Sequence, residues 1–524
     1  MTWTHPSFMS LMRRSQLETW LMVSCSHLNL PRTEIHQIIS RFPTTPSSLL
    51  KTIRMSYQFI DNKLSIDQAA RKQIRRHAAT GKNRGKKIVR SSRKHASTKT
   101  ISSFGIPGII RKGPGPVQET PQIERPINDG LVFPVPLSRE WKALVKRVVG
   151  FLSAARYVPQ LSKAIDSPSE ASSMFVRYIF IDQACFHCAV ATSILCLNDL
   201  VTRKEGILQA MSHISHTFRL INQRLSGQEA ISDTTMAVIV SMAQYERHQN
   251  EYQRGFVHVQ ALRRMVQLQG GLLQVTKSNH ILVQKMLRVD LEYALQLGSS
   301  TLFSLEDAIE TNRIIHEIYG DKRQNHACYS KPYRSPLLGS LRRDIQDVFF
   351  EVTSLASMLN DANNGVGPKL KSCVFHSDLL VLGYRLGNMY TLGGCRPKCP
   401  IENAIHMGLT AFLVPFWPGL DRRIAHNALL SNLLLNGAQD LADGGLDVRE
   451  ILLWMLYIGA ASSSQLGNHP MWISKLKETI DTLALRTWKQ VQSMLARYPW
   501  VNAVHDNAGK ALWHQCHINN LPTN

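Results

Sequence analysis

Apolar residues recur with helical spacing through most of the chain after residue 138, and the clearest case is residues 255–268. The apolar positions of this stretch fall on one helical face, which carries Val259, Leu262, Met265 and Val266. The polar positions fall on the opposite face, which carries Arg263, Arg264 and Gln267. This pattern predicts an amphipathic helix. The Gly270-Gly271 pair that follows predicts its end, because glycine readily adopts the left-handed backbone that closes helices.

Three further helices are predicted in the same part of the chain, over residues 139–165, 171–200 and 448–461. The helix over 171–200 is apolar on nearly all sides, which predicts a central position in the fold. Asp447, with Glu450 three residues later, predicts a capping box that opens the helix over 448–461. Residues 451–458 have no polar face, so other helices must enclose them. Strand-like alternation is scarce and no repeat of fixed period is present, so residues 138–524 are predicted to form a large all-α array.

The chain before residue 138 has a different pattern. Residues 71–99 carry twelve Lys and Arg and no acidic residue, and their apolar residues are too few to form a core. The basic residues are Arg71, Lys72, Arg75, Arg76, Lys82, Arg84, Lys86, Lys87, Arg90, Arg93, Lys94 and Lys99. Residues 101–137 are rich in Pro and Gly, which is typical of a linker. The predicted organisation is an N-terminal extension (1–54), a basic, mostly disordered segment (55–100), the linker (101–137) and the helical domain (138–524). Short helices are predicted only near residues 10–28 and 66–77.

The formal net charge of +23 belongs mainly to this N-terminal part. Residues 1–125 hold 22 Lys and Arg against 6 Asp and Glu, a net +16, which leaves +7 for the remaining 399 residues. Three interpretations of residues 71–99 stay open: a nuclear import signal, contact with nucleic-acid phosphates, and a solvated tail. Import is favoured, since the pairs Lys86-Lys87 and Arg93-Lys94 suit such a signal. Phosphate contact would be independent of base sequence and sensitive to salt.

The cysteines and the catalytic motifs narrow the class of protein. Nine cysteines without framework spacing predict reduced thiols inside a cell. The most apolar run, 451–461, is well short of the roughly 18 residues that a membrane span needs. The glycines of residues 108–113 resemble a phosphate-binding loop, but Pro114 stands where the lysine would be. No other catalytic motif is present, so an enzyme is not predicted, and no cofactor is expected.

Two cysteine pairs have the spacing of possible metal or redox sites, but each also has a simpler interpretation as free thiols. Cys185 and Cys188 flank His187, with His213 and His216 further along, and this set suggests zinc. Two cysteines three apart in an apolar helix are more often small core residues, so no metal site is predicted. The second pair, Cys395 and Cys399, lies in a predicted turn, where a surface disulfide or a redox-sensitive pair is the alternative to free thiols.

Three groups of residues together resemble the fungal-specific transcription-factor domain of zinc-cluster regulators. The first comprises Glu246, 258–271, Arg288, Asp290 and Ala294. The second comprises 452–459, Trp472, 483–488, 498–500, Asp506 and 512–513. The third runs from 55–60 into 71–77 and resembles the opening of a subgroup in which a basic stretch alone precedes the helical domain. If Met55 corresponds to that opening, residues 1–54 are either an added extension or an artefact of the gene model.

One departure from this family matters for function. Full zinc-cluster regulators bind DNA through a module in which six closely spaced cysteines share two zinc ions. The first 180 residues of this chain contain only one cysteine, Cys25. The resemblance therefore implies a helical platform that binds effectors or partner proteins, without the zinc-cluster module. The expected location is the nucleus. The expected partners are the import machinery and transcriptional co-regulators, with weak or indirect DNA contact and no membrane.

Two other functions stay open. One is an interaction scaffold without a transcriptional role, and the other is a helical enzyme of an uncatalogued kind. Glu246 and His258 are interpreted as buried polar residues with structural partners, and Arg288 and Asp290 as residues that pair or cap. The tryptophans Trp454, Trp488, Trp500 and Trp513 are interpreted as core, with a ligand cavity between helices as the alternative.

Overall fold

A computed structural model describes residues 134–135, 145, 159–166, 177–196, 203–320, 336–417, 427–441 and 444–518. All of them belong to one compact unit, Gly130–Asn524. These residues are almost wholly helical, and the only strands among them are two residues long each. The predicted all-α class is therefore confirmed for the described part of the chain.

The first part of the described fold is a set of six α-helices that are consecutive in the sequence. They are α1 (Gln183–Cys196), α2 (Arg203–Leu225), α3 (Asp233–His248), α4 (Tyr252–Leu268), α5 (Leu272–Leu297) and α6 (Leu305–Tyr319). α5 is kinked at Asn279, whose φ of −153° and ψ of 69° are not helical. The Asn279 side chain accepts a hydrogen bond from Leu282 N at 3.2 Å and donates to Asp233 at 2.7 Å, so it caps the second half of the helix.

The second part contains the remaining helices. They are α7 (Pro336–Gly339), α8 (Arg343–Asn363), α9 (Ser372–Met389), α10 (Pro400–Leu413), α11 (Ala428–Asp440), α12 (Leu446–Ser462), α13 (Ser464–Gly467), α14 (Pro470–Thr482), α15 (Trp488–Leu495) and α16 (Asn502–Ile518). α12 lies at the centre of this part, because every side chain from Ile451 to Ile458 is buried. This confirms the prediction that other helices enclose the run. Within the described helices, none is long and apolar enough to cross a bilayer.

Two large hydrophobic cores form the interior, one in each part, and α9 contributes to both. Leu380 and Tyr384 of α9 belong to the first core with α1–α5. Leu379, Leu382 and Leu386 of the same helix belong to the second core with α8 and α10–α16. The two faces of α9 therefore pack into different cores.

The ends of two predicted helices test the capping arguments. α4 ends at Leu268 as predicted, with Gly270 and Gly271 at positive φ of 95° and 100°. The predicted capping box at Asp447 is wrong. α12 begins at Leu446, two residues before its predicted start at 448, with Gly445 at the N-cap and no side-chain cap. Glu450 instead accepts a hydrogen bond from Arg497 at 2.9 Å, a contact with a residue far along the chain.

Two other predicted helices are interrupted. Within 171–200, residues 177–181 and α1 are helical, but Asp182 breaks the run. Its carboxylate accepts from Cys185 N at 2.8 Å and pairs with Arg224 at 2.6 Å. The helix predicted over 139–165 does not extend to its predicted end. Pro159–Leu161 forms a 3-10 turn, and β1 (Ile165–Asp166) pairs in parallel with β2 (Leu370–Lys371). The helices predicted near 10–28 and 66–77 lie outside the described residues.

Candidate functional site

The basic residues at 71–99, which are the predicted import or nucleic-acid contacts, lie outside the described residues. The same holds for the predicted extension 1–54 and for nearly all of the linker 101–137. The candidate sites that the structure does place are the polar residues behind the family resemblance, the histidines and cysteines of α1 and α2, the Cys395 loop and the tryptophans.

Polar and charged side chains of α3 and α5 meet at the buried Glu292 and form a group that we call the Glu292 cluster: Gln244, Arg247, Arg288 and Glu292. The Glu292 carboxylate lies 2.9 Å from Arg247 and 2.8 Å from Arg288, and its side chain is only 2% exposed. Gln244 donates to it at 2.9 Å. Burial by itself raises the pKa of Glu292, but the charges of Arg247 and Arg288 and the hydrogen bond from Gln244 outweigh burial and lower the pKa to about 2. The carboxylate is therefore ionised at neutral pH and holds α3 to α5.

Asp290, two residues earlier on α5, binds a different set of partners. Its carboxylate accepts from the backbone N–H groups of Leu302 at 2.8 Å and Phe303 at 3.0 Å. It also accepts from the Tyr384 hydroxyl of α9 at 2.8 Å. Burial raises the pKa of Asp290 to about 6, and these hydrogen bonds act in the opposite direction. Asp290 thus joins the end of α5, the following loop and α9.

The other two residues of the resemblance lie apart from these contacts. Glu246 on α3 is buried, and burial raises its pKa to about 7, against the opposing charge of Arg254. His258 on α4 lies beside Phe218, with ring centroids 6.2 Å apart, and burial lowers its pKa to about 4.

The prediction that Arg288 and Asp290 pair or cap is confirmed, although they do so with other residues and not with each other. Sequence reasoning missed Glu292, Arg247 and Tyr384 as their partners. The i,i+4 spacing of Arg288 and Glu292 was a usable local signal. Arg247 and Tyr384 come from other helices and gave none.

The region that suggested zinc in the sequence divides into two faces. Cys185 and Cys188 point into the first core, with 4% and 0% exposure, and burial raises the pKa of both thiols. They are core residues, as predicted. His187, between them, points the other way towards α2. No group of three or more His, Cys, Asp or Glu side chains in the described residues is arranged to hold a metal ion.

His187 meets two histidines of α2, and we call His187, His213 and His216 the histidine cluster. The Nδ1 atoms of His187 and His213 are 2.8 Å apart. The His187 ring centroid lies 5.0 Å from those of both His213 and His216. Arg219 approaches His216 Nδ1 at 3.1 Å. Burial, followed by the neighbouring imidazoles, lowers the pKa of both His187 and His213 to about 4.

The second cysteine pair lies on the surface in the loop before α10. Cys395 and Cys399 are exposed and carry free thiols. Between them, Arg396 turns inward and donates to Asn403 Oδ1 at 3.0 Å, with His406 Nδ1 at 2.9 Å. This arginine anchors the loop to α10. A surface disulfide or a redox-sensitive pair remains the untested alternative to free thiols.

The tryptophans are core residues, as interpreted from the sequence. Trp454, Trp500 and Trp513 are 0%, 2% and 7% exposed, and Trp488 is partly buried against the same core. Trp454 Nε1 donates to the Pro499 carbonyl at 3.0 Å, which satisfies its polar atom inside the core.

Comparison with known proteins returned no match: no family model, no curated protein and no solved structure matches this chain. Membership of the fungal transcription-factor family therefore remains a prediction that rests on the quoted residues.

Proposed function

We propose that this chain is a transcription-factor-like regulatory protein of a fungal nucleus that lacks the zinc-cluster DNA-binding module. In this proposal the helical body binds an effector or a partner protein. Residues 71–99 supply nuclear import and a weak, sequence-independent attraction to nucleic acid.

One observation carries the proposal: the charge of the chain is divided between two unlike parts. Residues 71–99 hold twelve basic residues and no acid, whereas residues 126–524 carry a net charge of only +7. Concentrated positive charge on a segment with few apolar residues suits binding by import receptors or by polyanions.

The described body supports the second half of the proposal. Two residues that carry part of the resemblance make structural contacts: Arg288 pairs with Glu292 of the same helix α5, and Asp290 binds Tyr384 of α9. Because their partners are groups of the same chain, Arg288 and Asp290 stabilise the helical body.

A localisation experiment tests the import role. Full-length protein is expressed in a fungal cell as a fluorescent fusion, with Lys86, Lys87, Arg93 and Lys94 replaced by glutamine. We expect this variant to lose nuclear accumulation. The matched control replaces four exposed basic residues of the body, Arg263, Arg264, Lys489 and Lys510, and should remain nuclear. Nuclear accumulation of both variants would contradict the import role.

Chromatin immunoprecipitation of the full chain separates the regulator from the alternative scaffold. Enrichment at a limited set of promoters is the expected result. Uniform background occupancy under every growth condition, with the protein present in the nucleus, would refute the regulatory proposal and favour a scaffold without a transcriptional role.

A further inference from the structure

Two asparagines of this chain are followed directly by glycine, in Asn364-Gly365 and Asn436-Gly437. This dipeptide is chemically labile, because the glycine has no side chain to hinder attack of its backbone nitrogen on the asparagine side chain. The sequence does not distinguish the two dipeptides. The structure does, since the first lies in an exposed turn after α8 and the second lies within α11.

We propose that Asn364 is a site of spontaneous deamidation, and that this reaction opens the C-terminal cap of α8. The Gly365 nitrogen gives its proton to a base in water and attacks Cγ of Asn364, while the side-chain nitrogen takes up a proton and leaves as ammonia. Water then opens the resulting succinimide ring on either side, which yields aspartate or isoaspartate. The overall change is the exchange of ammonia for water, without an enzyme or a cofactor. This inference does not depend on the proposed regulatory function.

The turn after α8 leaves the reacting groups accessible. Asn364 and Gly365 are both exposed. Gly365 has a φ of +75°, and apart from its chain neighbours nothing lies within 4 Å of the position that a Cβ atom would take. The Asn364 side chain and the Gly365 nitrogen can therefore approach each other without moving a packed side chain.

The hydrogen bonds of the closed turn oppose the reaction. Gly365 N donates to the Ala362 carbonyl at 3.1 Å and Val366 N donates to the Asp361 carbonyl at 2.9 Å, which is the Schellman arrangement of helix ends. Ring closure also requires the Asn364 backbone to rotate away from its ψ of −2°. The last turn must therefore open first. Helix ends open at little cost in free energy, whereas the interior of a core helix opens only near the cost of global unfolding.

The second dipeptide lacks this freedom. Asn436 and Gly437 lie inside α11, where the backbone N–H groups are held by the helix. Gly437 is buried, and the methyl end of Met407 packs against it. Opening at this point would break the helix in its interior and expose part of the second core. We therefore expect Asn364 to react much faster than Asn436.

Deamidation would weaken the end of α8 in two ways. Isoaspartate routes the main chain through the former side chain and so lengthens it, which moves Gly365 and Val366 out of register with their acceptor carbonyls. Either product also places a negative charge at the C-terminal end of a helix, where the helix dipole disfavours it. Leu359 and Ala362 of this last part of α8 belong to the second core, so the reaction would loosen a core helix with time.

The test is peptide mapping by mass spectrometry of the full-length folded protein, sampled over several weeks at neutral pH and physiological temperature. A synthetic peptide with the sequence of residues 358–368 gives the rate for an unstructured chain. We expect Asn364 to be converted to aspartate and isoaspartate at least about tenfold faster than Asn436, since only Asn364 lies at a helix end. Equal rates at the two asparagines would overturn the proposal. So would an Asn364 that stays intact while the peptide is fully converted.

A variant measures the consequence for the helix cap. Asn364→Gln keeps an exposed amide at this position, but its larger ring closes slowly. Aged samples of the variant should keep their midpoint of urea unfolding, whereas aged unmodified protein should unfold at a lower urea concentration, in proportion to its isoaspartate content. An unchanged midpoint in fully converted protein would refute the opening of the cap. The mapping experiment needs no variant, so it decides the deamidation itself even if Asn364→Gln fails to fold.

Discussion

Replacing Glu292 by glutamine should destabilise the protein by about 3 kcal/mol at pH 7. The two arginines beside this buried carboxylate lower its pKa from 4.5 to about 2, and each pKa unit corresponds to about 1.4 kcal/mol. The contacts of Glu292 lead to a similar loss of stability. Glu292→Gln would leave Arg247 and Arg288 almost buried and without their counter-charge, and breaking a buried ion pair costs about 3–5 kcal/mol.

The pH dependence of this difference gives a sharper test than its size. The pKa of Glu292 is lower in the folded protein than in the unfolded chain, so its charge stabilises the fold fully above pH 4.5. That stabilisation is lost as the pH falls towards 2. The difference between the unmodified protein and Glu292→Gln should therefore be constant from pH 7 to pH 5 and should shrink below pH 4.5.

Urea unfolding followed by far-ultraviolet circular dichroism at a series of pH values measures both effects. The matched control is Glu310→Gln, which removes a carboxylate from an exposed pair with Arg313 and should leave the unfolding midpoint unchanged. A Glu292→Gln difference below about 1 kcal/mol at pH 7, or one of equal size at pH 7 and pH 3, would refute the reasoning.

Two further predictions use glycines with different surroundings, and both are checked by the same unfolding assay. Gly408→Ala should cost about 1–3 kcal/mol, because the added methyl group would lie 2.5 Å from the Trp454 ring at the crossing of α10 and α12. Gly271→Ala should cost about 1 kcal/mol through backbone strain alone, since its φ is +100° and nothing lies within 4 Å. Gly387→Ala, on α9 with open space around it, is the control for both and should be neutral or stabilising by up to about 1 kcal/mol. Equal stability of all three variants would contradict both predictions.

The helical class and the buried helices could be predicted because they depend on local spacing. α4 is an example, since its buried Val259, Leu262 and Met265 recur at the helical period and Gly270 marks its end. The burial of residues 451–458 followed from the lack of any polar position. Neither inference needed knowledge of what the helices contact.

The start of α12 could not be predicted, because tertiary contacts override the local signal. Asp447 and Glu450 have the spacing of a capping box, but Glu450 binds Arg497 of a later segment and the helix begins at Leu446. Asp182 breaks the run before α1 for a similar reason, since its carboxylate caps Cys185 N and pairs with Arg224. A carboxylate with a distant partner cannot be recognised from spacing alone.

The histidine cluster shows the same limit at a candidate site. The i,i+3 spacing of His213 and His216 is visible in the sequence, and His187 drew notice there only as a neighbour of two cysteines. Burial of Cys185 and Cys188 removes the thiolates from the site, and the packing of α1 on α2 brings His187 to His213. The sequence could not show that His187 faces α2 while Cys185 and Cys188 are buried, because spacing alone does not show which face of α1 is buried.

The position of α9 links the two cores to the proposed binding function. Leu380 and Tyr384 pack in the first core, while Leu382 and Leu386 pack in the second. Because close-packed interiors resist gradual deformation, a shift of α9 in one core requires repacking in the other. The Tyr384 hydrogen bond to Asp290 is one of the polar contacts that join α9 to α5. An effector or partner that moved either helix would therefore change both halves of the body, which is the property that a regulatory platform needs.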